Sequence, residues 1–268
     1  MAGRTVSKYN RVYLGDSTHG VDLSCHVLDV GDLSIDFDGD PIAAYCWGVK
    51  GTLLSNATIT AGPINAILSA GEAGDLHTTM TALQGSPISM GIAIGINQVP
   101  TLGDPIFVLS TDLKSYTGLE SAGGMVTMNA TLGSGADNTA GMKYGKAWGT
   151  ILHGLAAASA ANASTAGIYA GGAASAAGGF MFYCLTSLDG GNVTLSIEDS
   201  ADNSTYTALT GATSGALTAA GCGIVQLGTN ATVRRYLRWQ LALAGGATTE
   251  TFLIAFVSDL SNSIYPKP

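Results

Sequence analysis

Apolar and polar residues alternate strictly from Asp32 to Asp38, where leucine, isoleucine and phenylalanine occupy the odd positions 33, 35 and 37. This period of two predicts a β-strand with one buried face and one face that carries acid. Gly39-Asp40-Pro41 is expected to end the strand, because proline cannot donate to a ladder and glycine turns the chain. The run from Gly51 to Gly62, rich in threonine and aliphatic residues, is predicted to be the return strand of a long hairpin.

The polar face of this hairpin is acidic, with Asp32, Asp36 and Asp38 as its candidate functional residues. No basic residue lies between Arg11 and Lys50, so nothing close in sequence neutralises these carboxylates. The acidic face is therefore expected to have a function that does not depend on pairing with nearby basic residues.

Other patterns complete the first half of the chain. Residues 1–20 are polar and turn-rich apart from Val12-Tyr13-Leu14, and we expect an ordered arm rather than a core element. Apolar positions 76, 80 and 83 predict a helix from Glu72 to Gln84, and a second short helix is predicted from Pro63 to Ala70. Strands are predicted at 105–110 and 123–132.

The second half begins with an uncharged stretch from Gly154 to Leu188, composed mostly of alanine, glycine, serine and asparagine. We therefore expect two domains, 1–153 and 154–268. Six short strands separated by turn signals follow, and this spacing predicts a jelly-roll or immunoglobulin-like β-sandwich. They are expected at 180–188, 192–199, 204–210, 223–227, 235–243 and 251–257. The fold class is therefore mainly β.

Composition narrows the choice of function. Only 11% of the 268 residues are charged, well below the roughly 25% of ordinary soluble domains. A chain whose surface is largely buried against copies of itself needs few charges. The net charge of −8 argues against general binding to nucleic-acid phosphates. The four scattered cysteines are expected to be small buried residues in a reducing compartment. The first residues lack an apolar h-region, so we expect no secretory signal.

Catalytic and metal motifs are weak. The acidic run at 36–40 has the wrong spacing for a calcium loop, and the four histidines show no ligand spacing, so we expect no metal and no cofactor. Gly15-Asp16-Ser17 is similar to the opening of a lipolytic serine hydrolase, but the last histidine is His153 and no GxSxG elbow exists. We therefore expect no enzyme. Tyr206, Tyr236 and Trp239 are candidates for a sugar-binding platform, although core or cross-strand packing is the commoner role of such residues.

Taken in order, these pieces resemble the major tail protein, or tail tube protein, of long-tailed bacteriophages. The resemblance covers almost the whole chain and rests on patterns rather than on a catalytic signature. The segments that carry it in the first half are Tyr13-Leu14, Val21–Ser24, Leu33–Asp38, Gly51–Gly62, the helix near 74–84 and Trp148–His153. The second half resembles the added C-terminal sandwich of many such proteins, through Val193–Asp202, Arg234–Trp239 and Thr251–Val257.

The resemblance implies stacked hexameric rings that form a tube, with DNA passing through the lumen at infection without specific binding. It implies residues 1–153 as the tail-tube domain and residues 154–268 as a decoration domain outside the tube. Other tail proteins would bind the tube ends, no membrane insertion is expected, and the location is the virion tail after synthesis in the host cytoplasm. Asp32, Asp36 and Asp38 would face the lumen.

The hairpin connection from Pro41 to Lys50, with Tyr45 and Trp47, would contact the next ring. This connection is shorter and less basic than the family pattern. Two alternatives stay open beside the structural protein: a virion module in which the second domain binds host-surface carbohydrate, and a serine hydrolase built on Ser17.

Overall fold

The structure is a computed structural model of the whole chain, and it describes residues 9–25, 27–43, 50–67, 76–95, 99–122, 125–133, 148–159, 168–169, 178–228 and 231–258. The strands of the first half are β1 Tyr9–Gly15, β2 Gly20–Asp22, β3 Val27–Ala43, β4 Lys50–Ile67, β5 Ile88–Gly95, β6 Pro105–Ala122 and β7 Met125–Gly133. They are followed by β8 Trp148–Ala158, β9 Ile168–Tyr169, β10 Gly179–Ser187, β11 Asn192–Ser200, β12 Thr207–Leu217, β13 Gly221–Gln226, β14 Tyr236–Ala244 and β15 Glu250–Ser258. Within the described ranges the one helix is α1, Leu76–Ala82. The predicted mainly β fold is confirmed.

Eight strands form one antiparallel path in the order β13-β10-β15-β8-β6-β5-β1-β2. The two ends of this path meet, since the Cys222 amide of β13 donates to the Asp16 carbonyl in the turn after β1, over 2.8 Å. Strand β5 also faces β10 across the interior, where a Cβ added to Gly91 would lie 2.5 Å from Phe182 Cε1. The sheet therefore curls around one apolar core, which includes Leu14, Ile92 and Phe182.

A second core lies on the other side of β10 and β15. A four-stranded sheet in the order β12-β11-β14-β9 covers it, and β11 alternates buried and half-buried residues as a one-sided strand should. In β10, Phe180, Phe182 and Cys184 pack into the first core, whereas Met181 and Tyr183 pack into the second. Strand β15 is divided in the same way. These two strands form a wall shared by both cores, which explains their almost uninterrupted apolar runs.

The predicted domain boundary after His153 falls inside β8. This strand pairs with β6 of the first half and with β15 of the second half. The sheet is thus continuous across the boundary, and the assignment of 1–153 and 154–268 as separate domains stays a prediction.

Some local predictions were wrong. Val12, Tyr13 and Leu14 are at most 1% exposed within β1, so this segment belongs to the core and not to an arm. Positions 63–67 continue β4 where a short helix was predicted. Strand β3 does not end at Gly39: a bulge lies between Phe37 and Gly39, and the ladder continues to Ala43. Proline is tolerated there because β3 pairs with β4 on one side only among the described strands.

The cysteines also differ from expectation. Cys184 and Cys222 are buried as predicted, but they lie opposite each other in β10 and β13 and are joined by a disulfide. Cys25 is a free and exposed thiol, so the prediction that all four are buried was wrong. Cys46 lies outside the described residues.

Candidate assembly surface

The predicted hairpin belongs to a branch of the large sheet that leaves the eight-stranded path. Strand β6 is the link: its first residues pair with β5 and β8, and from Asp112 onward it pairs with β7. Strand β7 then pairs with β4, and β4 with β3. The order β6-β7-β4-β3 places the 17 residues of β3 at an edge of the described sheet.

The base of this extension is fixed to the first core. Ile64 of β4 and Leu132 of β7 are fully buried in that core. Met80 and Leu83 are also fully buried there, as the predicted apolar stripe requires. Above them the Tyr116 hydroxyl lies 2.8 Å from His77 Nδ1, which ties β6 to α1. The hairpin is therefore held in a defined direction by apolar packing at its root.

The strand register fits the sequence pattern. Along the β3–β4 ladder, Asp32 is opposite Gly62, and Asp36 is opposite Thr58. Leu33, Ile35 and Phe37 lie opposite Ala61, Ile59 and Ala57. From position 32 to position 37, polar positions are thus paired with polar or glycine positions and apolar positions with apolar ones, whereas beyond the bulge Asp40 lies opposite Leu53. Asp38 lies at the bulge between Phe37 and Gly39, where the ladder shifts.

The predicted ring-contact residues are only partly described. Pro41 lies opposite Thr52, and Lys50 lies opposite Ala43 at the last pair of the hairpin. Tyr45 and Trp47 lie outside the described residues. Both the lumen-facing role of the three aspartates and the ring-contact role of this connection stay predictions.

The predicted aromatic platform is not one surface. Trp239 packs into the second core, with its ring centroid 4.5 Å from that of His153 and 5.5 Å from that of Phe252. Tyr206 lies instead beneath Arg238, whose guanidinium carbon is 4.0 Å from the ring centroid. Trp239 therefore packs against the second core, in agreement with the core-packing role that was the commoner of the two alternatives.

Sequence reasoning missed a groove of about 820 Å³, which β12 lines together with Gly228, Ala231, Thr232 and Arg234. Asp199, which is 4% exposed, accepts the Arg234 amide at 2.9 Å, and Arg234 Nη1 donates to the Thr207 hydroxyl at 2.8 Å. These groups bind one another, so the pairing stabilises the wall of the groove. No local signal marks it, because the two residues are 35 positions apart.

The segment around Ser17 forms a turn. The Asp16 carboxylate accepts the amides of Thr18 and His19, both at 2.8 Å, and lies 3.2 Å from His19 Nδ1. Partial burial alone would raise the pKa of Asp16, but these hydrogen bonds lower it overall. The carboxylate holds the turn that receives the Cys222 amide, which is a structural role.

Clusters of three or more metal-ligating side chains and helices able to span a bilayer are both absent from the described ranges. No three His, Cys, Asp or Glu side chains there come together as a metal cluster would. Nor does that part of the chain contain a helix with the length and apolar character needed to cross a bilayer.

Comparison with known proteins gave structural similarity only. No family model matches the chain, and no curated protein matches it. The chain is similar to the sheath/tube terminator of an extracellular contractile injection system (PVC) in the extended state, with a TM-score of 0.37 and 13% identity, over 50% of this chain and 96% of that chain. It is also similar to a chain of the phage p2 baseplate in its activated conformation with Sr, with a TM-score of 0.34 and 13% identity, over 93% of this chain and 99% of that chain.

Proposed function

We propose that this protein is a structural virion protein that polymerises as stacked hexameric rings into a phage tail tube, the conduit for DNA ejection. The observation that carries the proposal is the long β3–β4 hairpin, which is rooted in the core and has β3 at an edge of the described sheet. A 17-residue edge strand offers a row of backbone donors and acceptors to another chain.

Closure into a ring resolves the exposed edge. If β3 of each copy pairs with the sheet of the next copy, the contact is heterologous, and six copies leave no free edge. Strands closed in this way form a barrel with a lumen, and rings stacked along its axis form a tube. Only 11% of the residues are charged, which fits a chain that buries much of its surface against other copies and needs few charges to keep that surface soluble.

The acidic row gives the lumen its chemistry. With Asp32, Asp36 and Asp38 facing inward in every copy, the wall would repel phosphates, so DNA would slide without binding. The connection from Pro41 to Lys50 would contact the adjacent ring, and other tail proteins would close the tube ends.

Negative-stain electron microscopy of the purified chain, with light-scattering mass, tests the assembly. We expect six-fold rings or tubes with a central channel. A species that stays monomeric at all protein concentrations, also after tail-initiating proteins are added, would contradict the proposal.

Two neighbouring proline variants test the edge itself. Successive residues of an antiparallel strand direct their amides to opposite sides, so one of Ser34→Pro and Ile35→Pro removes a β3–β4 hydrogen bond and the other removes only an outward amide. We expect the second kind to keep the stability of the monomer and to lose ring formation. Rings that survive both variants would show that β3 is not the interface.

The lumen is tested by charge reversal. Rings carrying Asp32→Lys and Asp36→Lys together are expected to retain duplex DNA in a salt-dependent manner, whereas rings with Asp104→Lys, a loop position in another part of the fold, are not. Equal retention by both would contradict an inward acidic row.

A further inference from the structure

Glu250 is a buried carboxylic acid that lies beside a second carboxyl group. It is the first residue of β15, opposite Ala158 of β8, and its exposed fraction is 0%. Neither carboxyl oxygen makes a hydrogen bond of standard geometry, and its polar neighbours are the carboxyl group and the main-chain amide of Asp189. A buried charge is unfavourable unless it is compensated, so such a group must bind a proton, a cation or a donor from outside the chain.

The carboxyl group of Asp189 lies beside that of Glu250. Asp189 occupies the turn between β10 and β11, and it accepts the amides of Thr248 and Thr249 at 2.9 Å and 3.1 Å, together with the Thr248 hydroxyl. These donors lower the pKa of Asp189 to about 2, so it is an anion at every physiological pH. Burial and the neighbouring Asp189 raise the pKa of Glu250 to about 7.

The pair occurs where two turns are held tightly together. Gly191 has φ +64°, and a Cβ there would lie 2.2 Å from the Ala244 carbonyl oxygen. The β10–β11 and β14–β15 turns therefore approach with backbone against backbone, and the two carboxyls lie at this junction. Among the described residues, no lysine, arginine or histidine forms an ion pair with either carboxyl.

We propose that Asp189 and Glu250 together bind one divalent cation, with calcium as the best fit. Calcium takes six to eight oxygen ligands in irregular geometry, and carboxylates, backbone carbonyls and water all serve. Asp189 is exposed and offers the ion a route in, while Glu250 supplies a pair of buried carboxyl oxygens beside it. Two carboxylates make a weak site, of the kind that binds at about 10⁻⁴–10⁻³ M.

Calorimetric titration of the EDTA-treated full chain with CaCl₂ at pH 8 tests this inference. We expect one site per chain, which is lost in both Glu250→Gln and Asp189→Asn. Asp202→Asn is the matched control, because Asp202 also accepts turn amides, those of Ser204 and Thr205, but lies outside the pair. A site that survives in Glu250→Gln, or is absent from the wild type, would overturn the proposal.

Thermal unfolding with and without calcium is a second measurement, and the wild-type protein alone is enough to test the proposal with it. With a dissociation constant of about 1 mM, 10 mM calcium raises the folded-to-unfolded ratio about eleven-fold in the wild type and leaves Glu250→Gln unchanged. If the wild type instead gains stability only as the pH falls below 7, with no response to calcium or magnesium, the pair holds a proton and the cation site is refuted.

Discussion

The contact between Gly91 and Phe182 is the most direct test of the closed sheet. Gly91 lies in β5 of the first half and Phe182 in β10 of the second half, 91 positions later. Gly91→Ala places a Cβ 2.5 Å from Cε1 and 2.9 Å from Cζ of the Phe182 ring, and 2.9 Å from Cδ1 of Ile106. Both Phe182 and Ile106 are fully buried, so neither can move into solvent.

The expected costs follow from overpacking and from lost volume. Gly91→Ala should cost about 1–3 kcal/mol, the usual range for a methyl group forced into a filled core. Phe182→Leu should cost about 1–2 kcal/mol, less than the about 3–5 kcal/mol of truncation to alanine. In the double variant the smaller side chain makes room for the new methyl, so its cost should fall short of the sum by about 1 kcal/mol or more.

Urea denaturation of the four proteins measures this coupling. For a slope of about 3 kcal/mol/M, a loss of 2 kcal/mol lowers the midpoint by roughly 0.7 M. Gly228→Ala is the control, because a Cβ there meets nothing within 4 Å and should change little. Strictly additive costs of Gly91→Ala and Phe182→Leu would refute the reasoning, since they would show that β5 and β10 do not share a core.

Three further outcomes are expected. A fragment of residues 154–268 should fail to give a sharp NMR spectrum, because it exposes the side of β10 and β15 that packs into the first core; a folded monomeric fragment would contradict the shared wall. Trp239→Ala should lower the melting temperature, since the ring packs on His153 and Phe252. If the variant instead keeps the wild-type melting temperature but loses a glycan-array signal that the wild type gives, the carbohydrate alternative would be favoured. Burial lowers the pKa of His153, so the neutral ring stabilises the fold above pH 6.5, and this contribution is lost as the pH falls. Urea titrations at pH 7 and pH 5 should therefore show a smaller loss of stability for His153→Gln than for the wild type.

Local pattern was enough to predict much of the second half. Alternation at 192–199 and the apolar run at 251–257 correspond to β11 and β15 within a residue at each end. The helix stripe also placed Met80 and Leu83 correctly in the core. In each case the side-chain period of a single element carries the information.

The failures share a physical cause, which is pairing between distant segments. Val12-Tyr13-Leu14 is too short to predict a core strand, and it becomes one because β5 and β2 pair on its two sides. Positions 63–67 stay extended because β7 pairs with them, although their local composition also suits a helix. Nothing near Glu250 in sequence indicates burial, because Thr248, Thr249 and Thr251 around it are typical of a polar turn.

The shared wall also bears on the timing of synthesis. Strand β15 lies between β10 and β8, contributes to both cores and is the last strand that the structure describes. At a translation rate of about 5–20 residues per second, synthesis of β15 follows that of β1 by on the order of 10–50 s. A nascent chain that lacks β15 therefore cannot complete either core, and its apolar strands must be kept apart from those of neighbouring nascent chains until β15 emerges.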